Sequence, residues 1–224
     1  LSNKPWLLLP GTLCTGEVFD AFLNALGVNP AQRTVVTLDR PSVEGYSAIF
    51  EDLSDDTVVC GFSLGAIVAA HAADKMNGHG LILFGLNPFA DDPSKAAARH
   101  HLAHDVTAMG GAAALSLRPL DIYGAAPEAT RAQVYQMANE TAHLIHPQTT
   151  LALTRPGALP ALKQAGIPVL ALTGTHDKAA PPEQGLAAGQ AAPNGDFHAL
   201  QGLGHFALLE DPQACANAVQ QMLG

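Results

Sequence analysis

Thr57-Val58-Val59-Cys60-Gly61-Phe62-Ser63-Leu64-Gly65-Ala66-Ile67-Val68-Ala69-Ala70-His71-Ala72-Ala73 is the stretch on which the reading of this chain turns. Thr57 to Cys60 has the continuously apolar, β-branched character of a buried parallel strand. Ala66 to Ala73 reads as a buried helix. Between them stands the pentad Gly61-Phe62-Ser63-Leu64-Gly65. Seven serines and 21 glycines in 224 residues give roughly a 6% chance of one such pentad, so its context carries the weight. On a strand-to-helix turn, G-x-S-x-G is a nucleophile elbow. The turn is so tight that side chains two residues either side of the serine would collide. Ser63 is pushed out at its tip, at the positive end of the following helix.

Outward from the pentad, apolar runs at 6–9, 34–38, 81–84, 168–173 and 196–200 join 57–60 as six expected strands. Gly16 to Leu26, Tyr46 to Leu53 and Pro212 to Leu223 read as helices between and after them. Such alternation predicts an α/β fold, a parallel sheet covered by helices on both faces. Residues 94–160 break the pattern. They are rich in Ala, His and Arg, carry no strand signal, and are punctuated by Pro119, Pro127, Pro147, Pro156 and Pro160. Three or four helices are expected there, Ser94 to Ala108 and Glu128 to Ile145 being the clearest. The chain thus divides into a core of 1–93 and 161–224 and a helical cap or lid inserted at 94–160.

Hydrophobic residues make up 48% and charged residues 14%, which fits an ordinary globular chain of one domain. No apolar run is long enough to span a bilayer, and Trp6 to Leu9 is too short for the core of a signal peptide. A net charge of −9 argues against nucleic acid as a partner. Residues 94–160 depart from this acidity, with Lys95, Arg99, Arg118, Arg131 and Arg155 against Asp105, Asp121, Glu128 and Glu140. Cys14, Cys60 and Cys215 are odd in number and lack metal-ligand spacing, so a reducing compartment and a cytoplasmic location are expected. Cys14 lies in a loop placed beside the serine, where it is either a reactive thiol or a small loop residue.

A serine hydroxyl needs a base to take its proton, usually a histidine oriented by a carboxylate. This chain offers the order Ser, acid, His, each after a strand. Asp177 follows 168–173 in Gly174-Thr175-His176-Asp177, and His205 follows 196–200 in Gly202-Leu203-Gly204-His205. Asp91 and Asp92, after 81–84, are the alternative acids. A developing oxyanion needs two backbone N–H donors. Leu64, just after the serine, and Thr12, in the loop Pro10-Gly11-Thr12-Leu13-Cys14 after the first strand, are the candidates.

Four blocks in this order, LLLPGTLC, GFSLGA, GTHDKAAPP and GLGHFALLEDP, resemble the α/β-hydrolase superfamily, and within it the small bacterial hydrolases with a helical cap. The resemblance covers almost the whole length. It implies a six-stranded sheet in the order 2-1-3-4-5-6, a catalytic set of Ser63, Asp177 and His205, and no metal or organic cofactor. Gly174 and Pro181 frame Asp177 as the acid is framed in the resembling families. Two departures stand out: Pro10-Gly11 replaces the usual His-Gly, and the usual antiparallel strand pair before the first strand is missing.

The expected activity is hydrolysis of a small-molecule ester or thioester of small to medium acyl size, with no nucleic-acid or membrane partner. A carbon–carbon hydrolase of the same fold and a non-catalytic ligand-binding module are the competing readings. Met109, Leu115, Leu117, Leu120, Tyr135, Met137 and Leu144 offer either an apolar lining for the acyl pocket or core between lid and sheet. The arginines of 94–160 are candidates for a distal carboxylate or an acyl-carrier phosphate, with none singled out. His100, His101 and His104, and Glu140 with His143, have helical spacings seen in metal sites but lack partner motifs, so no metal is expected.

Overall fold

The computed structural model describes residues 1–223. Its strands are β1 (Trp6–Leu9), β2 (Arg33–Val35), β3 (Val58–Phe62), β4 (Gly80–Phe84), β5 (Val169–Gly174) and β6 (Gly195–Leu200). They form one sheet in the order β2-β1-β3-β4-β5-β6, with every pair parallel. The helices of the first half are α1 (Asp20–Ala25), α2 (Ala48–Glu51) and α3 (Leu64–His71). Between β4 and β5 the chain is helical throughout its regular elements: α4 (Ala96–Met109), α5 (Gly111–Ser116), α6 (Pro127–Glu140), α7 (Ile145–Thr154) and α8 (Leu159–Leu162). The last three are α9 (Pro182–Ala191), α10 (Ala207–Glu210) and α11 (Pro212–Leu223).

Two-residue periodicity sorts the sheet into two cores. Leu7, Leu9, Val59, Leu81, Leu83, Val169 and Ala171 face Ala66 and Ala70 of α3, Leu162 of α8 and Ala188 of α9. Trp6, Leu8, Val58, Cys60, Ile82, Leu170 and Leu172 face Phe22 and Leu23 of α1 and Cys215 and Val219 of α11. β3 and β4 are buried at every position, as strands covered on both faces must be. A third, smaller core of Leu13, Ala103, Val106, Ala114, Ala138 and Ile145 lies among the inserted helices. Among the described residues no helix is long and apolar enough to cross a membrane.

Several boundaries differ from expectation: the helices expected at Gly16 to Leu26 and Tyr46 to Leu53 shorten to α1 and α2, each after a 3-10 turn. β2 ends at Val35 rather than 38, because it is the edge of the sheet and its side chains are half-buried or exposed. The expected helix Glu128 to Ile145 is split at Thr141, whose hydroxyl donates back to the Met137 carbonyl at 2.8 Å. Pro147 has no N–H with which to extend that helix, and it sits instead in the first turn of α7, where none is needed. The helix expected from Ser94 starts at Ala96, after a turn capped by the Asp92 carboxylate on the Ser94 N–H.

The elbow is the most tightly packed junction of the core. A Cβ on Gly65 would lie 1.9 Å from the Leu9 carbonyl oxygen of β1, and one on Gly61 would lie 2.6 Å from Cα of Ala66. Helix α3 therefore rests directly on the backbone of β1. Gly65→Ala is expected to cost about 3 kcal/mol or more, read as a large fall in thermal midpoint. Gly166→Ala, where a Cβ meets nothing within 4 Å, is expected to stay within about 0.5 kcal/mol of the parent. Equal midpoints for the two variants would contradict the close contact.

Candidate active site

The carboxyl ends of the parallel strands converge on one cavity of about 100 Å³. β3 delivers Ser63, which has φ 51° and ψ −114°, outside the comfortable range of an L-residue. Such backbone costs on the order of 1–3 kcal/mol and holds Oγ at the tip of the turn. The Ser63 N–H donates to the Phe84 carbonyl at 2.9 Å, tying the elbow to β4. Gly85 follows β4 with φ 57°, and a Cβ there would lie 3.0 Å from the His205 ring and 3.3 Å from Asp177. The absence of a side chain at 85 is what lets these two groups meet.

His205 Nε2 lies 3.0 Å from Ser63 Oγ, and His205 Nδ1 lies 2.7 Å from Asp177 Oδ2. Asp177 Oδ1 accepts the N–H groups of Ala179 and Ala180 at 2.8 and 2.9 Å. An ionised carboxylate only accepts, so Nδ1 carries the imidazole proton and Nε2 presents its lone pair to the serine. The Phe62 ring packs against His205 with centroids 5.1 Å apart. Glu210, buried at the end of α10, accepts the Gly204 N–H at 2.6 Å and fastens the loop that carries the histidine. Burial pushes the Glu210 carboxyl above its usual pKa, and the Gly204 N–H opposes the rise.

Thr12 and Leu64 both border the cavity with Ser63. Among the described residues neither backbone N–H has an acceptor. Leu13, next to Thr12, has φ 56°, and its N–H donates at 3.1 Å to Oε1 of Gln148 on α7. Gln148 is buried and comes from the inserted helices, 135 residues away in the chain. Sequence reading missed it, since a glutamine inside a helix carries no local signal.

Asp91, the alternative acid, is engaged elsewhere. Its carboxylate accepts Arg99 Nε at 2.7 Å and Arg99 Nη2 at 2.5 Å, and Arg155 Nη1 at 3.2 Å. Burial alone would raise its pKa, but the two guanidinium groups outweigh burial and hold it below the usual value. None of Met109, Leu115, Leu117, Leu120, Tyr135, Met137 and Leu144 lines the cavity at Ser63, but Leu120 lines an adjoining cavity with His205 and Phe206. Met137 and Leu144 are buried in packing, whereas Met109 and Leu117 are exposed. Ile67, Ala152, Lys95, Arg99 and Arg155 line the cavity instead. His176 packs against the Tyr123 ring, tilted by 43° with centroids 4.6 Å apart, and His71 ends α3 against the Pro156 carbonyl at 2.9 Å.

The family model described as "Alpha/beta hydrolase family" matches residues 6–218, and the chain belongs to that family. No curated protein matches the chain. Among solved structures, it is similar to a thermophilic esterase from Thermogutta terrifontis, with 21% identity over 99% of this chain and 90% of that one and a TM-score of 0.78. It is also similar to the enol-lactonase from Burkholderia xenovorans LB400, with 18% identity, coverage of 99% and 92%, and a TM-score of 0.76. MenH from S. aureus gives 16% identity, coverage of 100% and 94%, and a TM-score of 0.79. At these identities the likeness is one of fold.

Cys14 lies beside the site but is buried, and burial pushes its thiol up to about 12. Cys60 and Cys215 are buried and raised as well, again chiefly by burial, and none of the three is in a disulfide. With so little thiolate, the native protein is expected to give almost no reaction with dithionitrobenzoate at about pH 8, and three thiols once unfolded in guanidinium. Rapid titration of one thiol in the folded protein would assign reactivity to Cys14 after all.

Proposed function

We propose that the chain is a serine hydrolase that cleaves a small carboxylic ester or thioester through an acyl-enzyme on Ser63. The observation that carries this reading is the chain of contacts from Ser63 Oγ to His205 at 3.0 Å and on to Asp177 at 2.7 Å. The unoccupied Thr12 and Leu64 N–H groups beside it add support. In the first half-reaction His205 Nε2 takes the Ser63 proton as Oγ bonds to the carbonyl carbon. The oxyanion is held by the Thr12 and Leu64 N–H donors, the latter at the positive start of α3. His205 returns the proton to the leaving alkoxide or thiolate as the carbon–oxygen or carbon–sulfur bond breaks. In the second half-reaction water gives its proton to His205 and its oxygen to the acyl carbon. Ser63 leaves with that proton, and the acid is released. Asp177 keeps the tautomer and stabilises the imidazolium.

In this reading 94–160 is a cap on the core formed by 1–93 and 161–224. It supplies Gln148 behind the oxyanion loop and Lys95, Arg99, Ala152 and Arg155 to the cavity wall. A cavity of about 100 Å³ suits a short acyl group, being below the roughly 300–1,000 Å³ of sites for drug-sized ligands. Three unbridged thiols suit a cytoplasmic location.

Intact mass after incubation with a neutral fluorophosphonate is expected to show one adduct on the parent and none on Ser63→Ala. Asp177→Asn is expected to lower kcat by about 10³- to 10⁴-fold by favouring the wrong tautomer. A folded parent that neither labels nor turns over any ester would defeat the proposal.

A further inference from the structure

We infer that Lys95, Arg99 and Arg155 form an anion subsite in the cavity of Ser63, which selects esters or thioesters bearing a free carboxylate close to the scissile carbonyl. The inference rests on the hydrolase reading above and narrows its substrate class. All three cations line the same cavity as Ser63, His205 and Thr12, and no Asp or Glu lines it. Of the neighbouring acids, Asp91 accepts from the guanidinium groups with its side chain 5% exposed, and Asp177 is spent on His205 and on the Ala179 and Ala180 N–H groups. Three cations thus line the wall while every neighbouring carboxylate stands outside the lining and is already engaged.

The donors themselves are left available. Arg99 spends Nε and Nη2 on Asp91, and among the described residues its Nη1 has no acceptor. Lys95 is exposed and, among the described residues, forms no ion pair. Asp92, whose carboxyl lies near Lys95, is exposed outside the cavity and caps the Ser94 N–H. The Arg155 side chain is 1% exposed, shares Asp91 with Arg99, donates Nη1 also to the Ala152 carbonyl, and keeps a buried Nε without a partner. A buried cation so sparingly compensated is stabilised by a further anion. A neutral acyl chain in this cavity would instead desolvate cations without pairing them, which penalises it.

Chemistry and size together choose the anion. Guanidinium forks match carboxylate and phosphate alike. The cavity is only about 100 Å³, and the acyl carbons must share it with the charge, which favours the smaller, planar carboxylate. A phosphate on a long carrier arm would sit far from the thioester carbonyl, beyond a cavity of that size.

The test compares kcat/KM for monomethyl succinate, methyl butyrate and methyl 3-phosphonopropionate by pH-stat, on the parent, Lys95→Gln and Arg99→Gln. The parent is expected to prefer monomethyl succinate over methyl butyrate by about 10-fold or more. Each variant is expected to lower that ratio by about 10-fold, mainly through KM for the succinate ester. Fluorophosphonate labelling and thermal unfolding of each protein separate loss of the subsite from loss of the elbow or of the fold. A parent that labels but shows no preference for the carboxylate overturns the inference while leaving the hydrolase reading in place. So does a preference that both variants retain, or one directed at the phosphonate. A folded parent that neither labels nor hydrolyses overturns the hydrolase reading, and the subsite with it.

Discussion

Everything at the site depends on the contact between α3 and β1. With no Cβ at Gly65, the first turn of α3 lies against the Leu9 carbonyl. That contact sets the axis of the helix, the left-handed φ of Ser63, and the direction of the Leu64 N–H. It also brings the loop after β1 alongside the serine, since a Cβ on Gly11 would come within 3.1 Å of Ser63 Cβ. Strain at Ser63 is carried by a strand and helix buried at almost every position. A rigid surround of this kind lets a residue stay in a conformation that costs on the order of 1–3 kcal/mol.

What was legible in the sequence is what close local packing dictates. Gly61 and Gly65 flank a serine because nothing larger fits, so the elbow was visible as a pattern. β3, β4 and β5 were visible because strands covered on both faces are apolar throughout, and the sheet order followed from the resemblance. The loops after β5 and β6 place Asp177 and His205 at hydrogen-bonding distance, as their position after strands suggested. Contacts made between distant segments were illegible. Gln148 meets Leu13 across 135 residues, and Arg155 meets Asp91 across 64. Neither pair has a spacing, a flanking glycine or a periodicity to announce it. Of the expected apolar lining, Leu120 alone borders a cavity with His205 among the described residues, because an apolar residue type does not tell which neighbour buries it. Met137 and Leu144 are buried in packing rather than at the cavity.

The two candidate acids illustrate how charge distribution can divide similar residues. Asp91 and Asp177 both follow sheet strands, and both side chains are nearly inaccessible. Asp177 meets two backbone N–H groups and the imidazole, all of them donors on short tethers from β5 and β6. Asp91 meets two guanidinium groups from α4 and the end of α7. Moving Asp91 to a histidine would strand Arg155, whose side chain is 1% exposed, and an uncompensated buried charge costs about 3–5 kcal/mol. Burial alone already lowers the Arg155 pKa, and Asp91 is what opposes it. The arginines thus engage one carboxylate, and the other is left to meet His205.

Helix α7 ties the remaining features together. Gln148 sits in its first half and holds the N–H of Leu13, whose side chain packs with Ala103, Val106 and Ile145 of the inserted helices. Ala152 lines the cavity, and Arg155 caps the end of the helix against Asp91. Leu13 is not a glycine, so its left-handed backbone persists only while Gln148 and that small core restrain it. The adjacent Thr12 N–H, proposed here as an oxyanion donor, takes its direction from the same restraint. One helix therefore supports both the proposed oxyanion loop and part of the cationic wall. A displacement of α7 would disturb these two features together, while Ser63, His205 and Asp177 stay fixed by β3, β5 and β6. The inserted helices are in this respect part of the site's framework.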